Sequence, residues 1–380
     1  MIGLALEGGG AKGAFHIGAL EAFFEKGFRF DMVMGTSIGA LNGAMVAEGK
    51  FDALKGLWEQ AAISKIVDID DIKFDRLMKG DYDRELIVYL VKKAREAIAD
   101  GGLPMDKLRE LVDKYIDEDC LRSSSIDYGL VTVSVSDGWE PLELFKDQIP
   151  KGMLKDYILA SAYFPLFNRP KIGGKRYIDG GMYNNCPINP LIRRGASEVV
   201  AIRTGSNMPF ARVVDKTVKL TVVEPSEDLG GTIDLRKAKV DYNIKLGYFD
   251  ALRAIDKLAG VRYYLQPVTV AETIRFAEGL GDETEKTIRK LLKTRGSRHT
   301  LITKAMEVAK KELSLPEDAD ATQSLLALLE YAAGENGVEK FKVYTLPEFF
   351  GEIKRNMQPK PENDLLSYEI AKAIITNYKD

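Results

Sequence analysis

Histidine is nearly absent from this chain: His16 and His299 are the only two among 380 residues. Any mechanism that needs an imidazole base must use one of them. Cysteine is equally sparse. Cys120 and Cys186 form no CxxC pair, which excludes a disulfide framework and a cysteine-based zinc site and suits a reducing compartment. No charge of one sign dominates, since 54 Lys and Arg against 57 Asp and Glu leave a formal net charge of −3. No long basic block marks a nucleic-acid partner. Long hydrophobic runs are missing too, and no stretch approaches the ~20 apolar residues of a membrane-spanning helix. The opening segment Met1–Glu7 is apolar for too few residues, and lacks the basic leader, to act as a signal peptide. A cytoplasmic protein is the expectation.

What is present is ordinary globular composition, 45% hydrophobic and 29% charged. The length suits two or three domains, or one large α/β domain with an appendage. Ile2–Leu6 reads as a strand, followed by the cluster Gly8-Gly9-Gly10 and a helix over about 13–26. Ile17, Leu20 and Phe24 fall on one face of that helix, and Gly27 stops it. Asp31–Met34 is the next strand, and small residues (Gly39, Ala40, Gly43, Ala44) mark a helix over 38–47 that packs closely on a sheet. Short connections between alternating strands and helices predict a mainly parallel sheet covered on both faces.

Residues 51–119 read as helical and charged, including 85–99 and 106–115. Strands follow at 128–135 and 141–145, around the turn Ser136-Asp137-Gly138. A helix over 153–162 and a turn-rich run at 165–174 lead to a strand that ends at Ile178. Further strands are predicted at 198–203 and 263–265. Beyond about Pro267 the pattern turns helical, at 284–293, 301–313 and 322–332. This divides the chain into an α/β domain over 1–268 and a helical C-terminal region over 269–380.

Three motifs carry chemistry. The first is Leu6-Glu7-Gly8-Gly9-Gly10-Ala11-Lys12-Gly13, a glycine loop between strand and helix whose amides form a ready site for negative charge. Gly8-x-Gly10-x-x-Gly13 matches the dinucleotide fingerprint. That fingerprint also wants an acidic residue at the end of the second strand, and Asp31 sits at its beginning. A phosphate-loop spacing is absent. The remaining functional reading is an oxyanion hole.

Gly35-Thr36-Ser37-Ile38-Gly39 is the second motif, G-x-S-x-G between a predicted strand and a predicted helix. It reads either as a nucleophile elbow or as a turn with Ser37 for an N-cap. Asp179-Gly180-Gly181 is the third, an aspartate at a strand end. With His299 in a charged, surface-like helix start and His16 a helix residue near the loop, a carboxylate is left as the candidate base.

In this order the three motifs resemble the patatin-like phospholipase family. Ala160-Ser161-Ala162-Tyr163-Phe164-Pro165, Asn185-Cys186-Pro187 and Gly247-Tyr248 extend the resemblance over roughly residues 1–268. It implies a three-layer α/β/α fold and hydrolysis of lipid acyl esters with neither metal nor cofactor. Ser37 is then the nucleophile and Asp179 the base, with an oxyanion hole in Gly8, Gly9, Gly10, Ala11, Lys12 and Gly13. Gly35, Gly39, Gly180 and Gly181 support the elbow and the base motif. Lys12 stands where many relatives carry arginine.

The implied partner is a lipid or other acyl-ester substrate, with peripheral membrane contact and no nucleic acid. The apolar run Leu86–Val91, followed by Lys92, Lys93 and Arg95, suggests a lid or membrane-touching helix, against the plainer reading of a helix packed on the core. Two other functional classes compete: a nucleotide-binding protein using Gly8–Gly13, and a catalytically idle scaffold.

Overall fold

A computed structural model describes the chain except for residues 62–69, 71, 74, 75, 77–82, 100–104, 137, 164–170, 207–211, 270, 274–278, 358–364 and 378–380. Asp137, Phe164 and Pro165, and most of the turn-rich run, therefore lie outside the described residues. Two compact units are present, Met1–Ala254 and Ile255–Asp380.

The first unit is built on β1 (Ile2–Leu6), β2 (Met32–Thr36), β3 (Asp127–Ser134), β4 (Glu140–Phe145), β5 (Tyr177–Asp179), β6 (Glu198–Ile202) and β7 (Lys219–Val223). Six of these lie in the order β4-β3-β2-β1-β6-β7, with β5 also paired to β3. Pairing is parallel from β3 through to β7, while β4 and β5 run antiparallel to β3. All of β2 and four of the five residues of β1 are buried, as a parallel sheet covered on both faces requires.

The helices of this unit are α1 (Ala14–Glu25), α2 (Ile38–Ala47), α3 (Phe51–Glu59), α4 (Arg84–Ala99), α5 (Asp106–Tyr115), α6 (Glu118–Ser123), α7 (Leu154–Ser161), α8 (Ile188–Arg193) and α9 (Lys237–Asp256), of which α2, α7 and α8 pack directly on the sheet. This is the expected α/β architecture with a mainly parallel sheet. Strand β7 and helix α9 are additions to the sequence reading. α9 seats against α1 with almost no space between backbones, because a Cβ at Gly18 would collide with the carbonyl of Ile244 and one at Gly247 with that of Phe15. Such a crossing leaves little periodic apolar signal, since glycine supplies the contact.

In α4, Leu86 is buried while Ile87 and Val88 are more than half exposed. The side chains of Leu90 and Val91 lie outside the described residues. No helix among the described residues is long and apolar enough to cross a membrane.

The register positions the site. Thr36, the last residue of β2, pairs with Val131 of β3, and Asp179, the last residue of β5, pairs with the next β3 residue, Thr132. β2 runs parallel to β3 and β5 antiparallel, so the two strand ends meet head-on beside β3. β1 ends level with β2, Leu6 pairing with Gly35. The loops after β1, β2 and β5 thus open at one edge, where ligands bind on open α/β sheets.

The second unit is helical, as expected, with α10 (Asp282–Leu291), α11 (Arg298–Glu312), α12 (Ala321–Glu335), α13 (Leu346–Asn356) and α14 (Leu366–Asn377). It has its own core, including Leu329, Phe349 and Ile375. A short parallel pair, β8 (Tyr264–Leu265) with β9 (Val343–Tyr344), ties its start to the segment between α12 and α13. Side-chain caps at Ser297, Asp320 and Thr345 begin three of the helices.

Candidate active site

Ser37 stands between β2 and α2 with φ 55° and ψ −123°, a left-handed backbone that a non-glycine residue holds only under constraint. Two glycines permit the turn. A Cβ on Gly35 would strike the Gly39 carbonyl, and one on Gly39 the Leu6 carbonyl. Although Ser37 occupies the N-cap position, its side chain makes no capping hydrogen bond. The reading of Ser37 as a plain N-cap therefore does not hold. Its hydroxyl lies close enough to the Asp179 carboxyl to pull that group's pKa down.

Asp179 is 6% exposed. Burial pushes its carboxyl up to about 6, against the opposing pull of the Ser37 hydroxyl and the Gly181 amide. That amide donates to Oδ1 at 2.7 Å. Gly180 packs its Cα against the Val131 carbonyl, where no side chain fits.

One short segment braces both groups. Ser161 Oγ accepts from the Ser37 amide at 2.9 Å and donates to the Val131 carbonyl at 2.6 Å. Two residues on, the Tyr163 carbonyl accepts from the Asp179 amide at 3.0 Å. Thr36 Oγ1 adds a tie to the Asn184 carbonyl at 2.8 Å. Within Ala160–Pro165 nothing in the residue pattern distinguishes Ser161, because its role depends on a contact 124 positions away.

The glycine loop divides into committed and open amides. Gly8 N–H donates to Asn185 O, Ala11 N–H to Thr232 O and Lys12 N–H to Gly9 O. The Gly9 and Gly10 amides have no acceptor among the described residues. A second set of contacts orients them. The Gly8 carbonyl accepts from Thr204 Oγ1 at 2.6 Å and from Asn185 Nδ2 at 3.3 Å. Carbonyl and N–H of one trans peptide point in opposite directions, so holding the Gly8 oxygen on the Thr204 side turns the Gly9 N–H away from it.

Glu7, 1% exposed, locks the same corner by accepting from Thr204 N at 2.6 Å and Ser206 Oγ at 2.9 Å. Gly10 holds φ +57° against the Thr232 carbonyl. Thr204 carries no motif and is missing from the sequence reading, and Glu7, named there within the glycine loop, is given no role of its own.

His16 is fully buried in α1, and burial pushes its imidazole down to about 3, so the ring is neutral near pH 7. Its Nδ1 meets Asn42 Nδ2 at 3.3 Å. His299 is exposed. Asp31, the acid a dinucleotide site would need, accepts from the Ile2 amide at 2.7 Å. That places it at the far end of the sheet from the glycine loop.

A serine on a strained strand-to-helix turn, a buried carboxyl near it and open glycine amides stand together at one edge of an α/β sheet. Residues 4–192 match the protein family described as Patatin-like phospholipase, and over that stretch the chain is a member of that family.

Among curated proteins the chain is similar to a patatin-like phospholipase domain-containing protein of Caenorhabditis elegans, 30% identical over 209 residues, covering 54% of this chain and 14% of that protein. It is likewise similar to neuropathy target esterase sws of Drosophila melanogaster, 29% identical over 221 residues, covering 54% of this chain and 13% of that protein. The chain thus spans about a seventh of these relatives' length. Among solved structures, VipD from Legionella pneumophila aligns over 100% of this chain and 92% of that one at 15% identity, with a TM-score of 0.43.

Proposed function

We propose that the protein is a serine-dependent acyl hydrolase acting on lipid esters, with Ser37 as nucleophile and Asp179 as the base. The observation that carries this reading is the juxtaposition of an uncapped, strained Ser37 with a buried Asp179 of weakened acidity. At neutral pH a carboxyl near 6 is mostly ionised, yet it is a stronger base than a free aspartate. As Ser37 Oγ attacks the acyl carbonyl, its proton passes to Asp179. The carbonyl oxygen becomes an oxyanion beside the Gly9 and Gly10 amides, and one such donor contributes about 10²–10³ in kcat. Collapse breaks the ester bond, and Asp179 returns the proton to the departing alcohol. Water then attacks the acyl-enzyme, with Asp179 again taking a proton, and the fatty acid leaves.

The family membership supports this assignment, as does the absence of a histidine among the groups bonded to Ser37 in the described residues. The nucleotide-binding alternative loses support from Asp31, which sits at the wrong end of the sheet and already holds the Ile2 amide. An idle scaffold is disfavoured because three elements converge on an unfilled pair of amides.

The test is labelling by a fluorophosphonate probe together with mass spectrometry of products from a mixed lipid extract. The expected result is labelling at Ser37 and free fatty acid release, both abolished in Ser37→Ala. Stabilisation by dinucleotides without labelling would reverse the assignment.

A further inference from the structure

Helix α2 begins one residue after Ser37, and among the described residues one of its sides faces a groove rather than close packing at Ile38 and Leu41. Ile38, Leu41 and Met45 recur on that face at helical spacing and line an apolar groove of about 340 Å³, closed on the other side by Leu57, Trp58 and Leu111 of α3 and α5. The volume falls within the range of small-molecule sites, about 300–1,000 Å³.

The groove lies next to the glycine loop. A Cβ at Gly13 would meet Ile38 Cγ1 at 2.6 Å and the Trp58 ring at 3.0 Å, so two lining residues touch the loop directly. Its one buried polar lining residue is satisfied from within: Asn42 accepts from Trp58 Nε1 at 3.0 Å and donates to the Gly13 carbonyl at 3.3 Å. The floor therefore offers little to water or to a polar ligand. Leu41, Leu57 and Leu111 remain only half-buried, which leaves apolar surface wet where a hydrocarbon would cover it.

We propose that this groove receives the acyl chain of the ester, and that the protein selects chains of about eight carbons or more. The proposal rests on the hydrolase reading of Ser37 and names the part of the substrate that reading leaves open. The length follows from geometry. Ile38 to Met45 is seven residues, about 10.5 Å along the axis at 1.5 Å per residue. An extended chain advancing about 1.25 Å per C–C bond spans that in roughly eight bonds. Each methylene moved from water into an apolar site contributes about fourfold. Four added methylenes between butyryl and octanoyl therefore contribute about two orders of magnitude.

The experiment measures kcat/KM on nitrophenyl butyrate, octanoate and dodecanoate, with wild type and with Leu57→Phe combined with Leu111→Phe to fill the groove. The wild type should gain about 10²-fold from butyrate to octanoate and little beyond. The filled variant should lose at least tenfold on octanoate and dodecanoate while holding butyrate within about twofold.

A second readout is independent of turnover. The chain has two tryptophans, and Trp139 is half exposed. In a Ser37→Ala, Trp139→Phe protein, a terminally brominated decanoate should quench Trp58, bromoacetate should not, and filling the groove should remove the quenching. A flat chain-length profile, or turnover of octanoate without Trp58 quenching, overturns the groove. Quenching by the long chain without turnover of any ester overturns the hydrolase reading while supporting the groove as a fatty-chain site.

Discussion

Each unit of this protein buries carboxylates, and Glu330 and Asp179 are handled in opposite ways. In the helical unit Glu330 is 2% exposed, and its Oε1 accepts from three successive amides, Val261, Arg262 and Tyr263, at 2.8, 3.0 and 2.9 Å. That is a fully answered anion, tying the start of β8 to α12 through charge-assisted bonds. In the α/β unit Asp179 accepts, among the described residues, from one amide, that of Gly181, and the nearby Ser37 hydroxyl also pulls its pKa down. Comparable burial gives a structural clamp in one place and a destabilised, basic carboxylate in the other. The difference lies in the number of fixed donors, and it marks which buried acid is available for chemistry.

The contrast is sharpest at Asp179. Asp179→Asn should lower kcat by at least about 10³-fold, because the amide cannot take the Ser37 proton. The same change should stabilise the fold. The folded-state carboxyl stands at about 6 against 3.8 unperturbed, so folding favours the protonated form. Ionisation then costs about 3 kcal/mol of stability above pH ~6, a cost that shrinks toward pH ~4 and vanishes below it. Asp179→Asn should therefore raise the denaturation midpoint at about pH 8 and leave it unchanged at about pH 4. In wild type, kcat should rise with pH through about 6 as the base ionises. A kcat that stays flat from about pH 5 to 8 counts against Asp179 as the base.

Glu330→Ala is the mirror experiment. It strands three amides without an acceptor and should destabilise the helical unit by about 3 kcal/mol or more, read by urea denaturation. If stability survives intact, the clamp description is wrong and the comparison loses one side.

A smaller effect is expected at Thr204, where Thr204→Val removes the hydroxyl that holds the Gly8 carbonyl. We expect kcat to fall about 10- to 100-fold with KM little changed, since the Gly9 amide acts on the oxyanion rather than on bound substrate. Thr204→Ser should restore most of the rate. A parallel rise in KM, with no rescue by serine, would indicate simple loss of packing. The smallest effect belongs to His299→Ala, which should keep activity within about twofold; loss of turnover in a folded variant would bring histidine back into the mechanism.

Local pattern made much of this legible. The strand ends, the glycine loop and the G-x-S-x-G turn are read within a few residues, because burial on both faces and the sterics of a sharp turn act at short range. The proposed pairing of Ser37 with Asp179 comes from motif order and family resemblance, since residue spacing alone gives no physical route to it. The roles of Ser161, Thr204 and Glu7 were not legible: each depends on a hydrogen bond to a partner over 100 positions away, and serine, threonine and glutamate are ordinary at strand and helix ends. Helix α9 escaped for a related reason, since glycine rather than apolar periodicity supplies its contact with α1.

Sequence alone determined which atoms could react: with two histidines in the chain, a serine in a glycine-framed turn and an aspartate before paired glycines, the candidate chemistry was narrow. Tertiary structure decided which of them meet and how strongly basic the acid becomes. β5 arriving head-on to β2 across adjacent residues of β3 joins the pair. Exclusion of water from Asp179 then raises its proton affinity. Desolvation is a property of the surroundings in space, so no reading of the chain one residue at a time contains it.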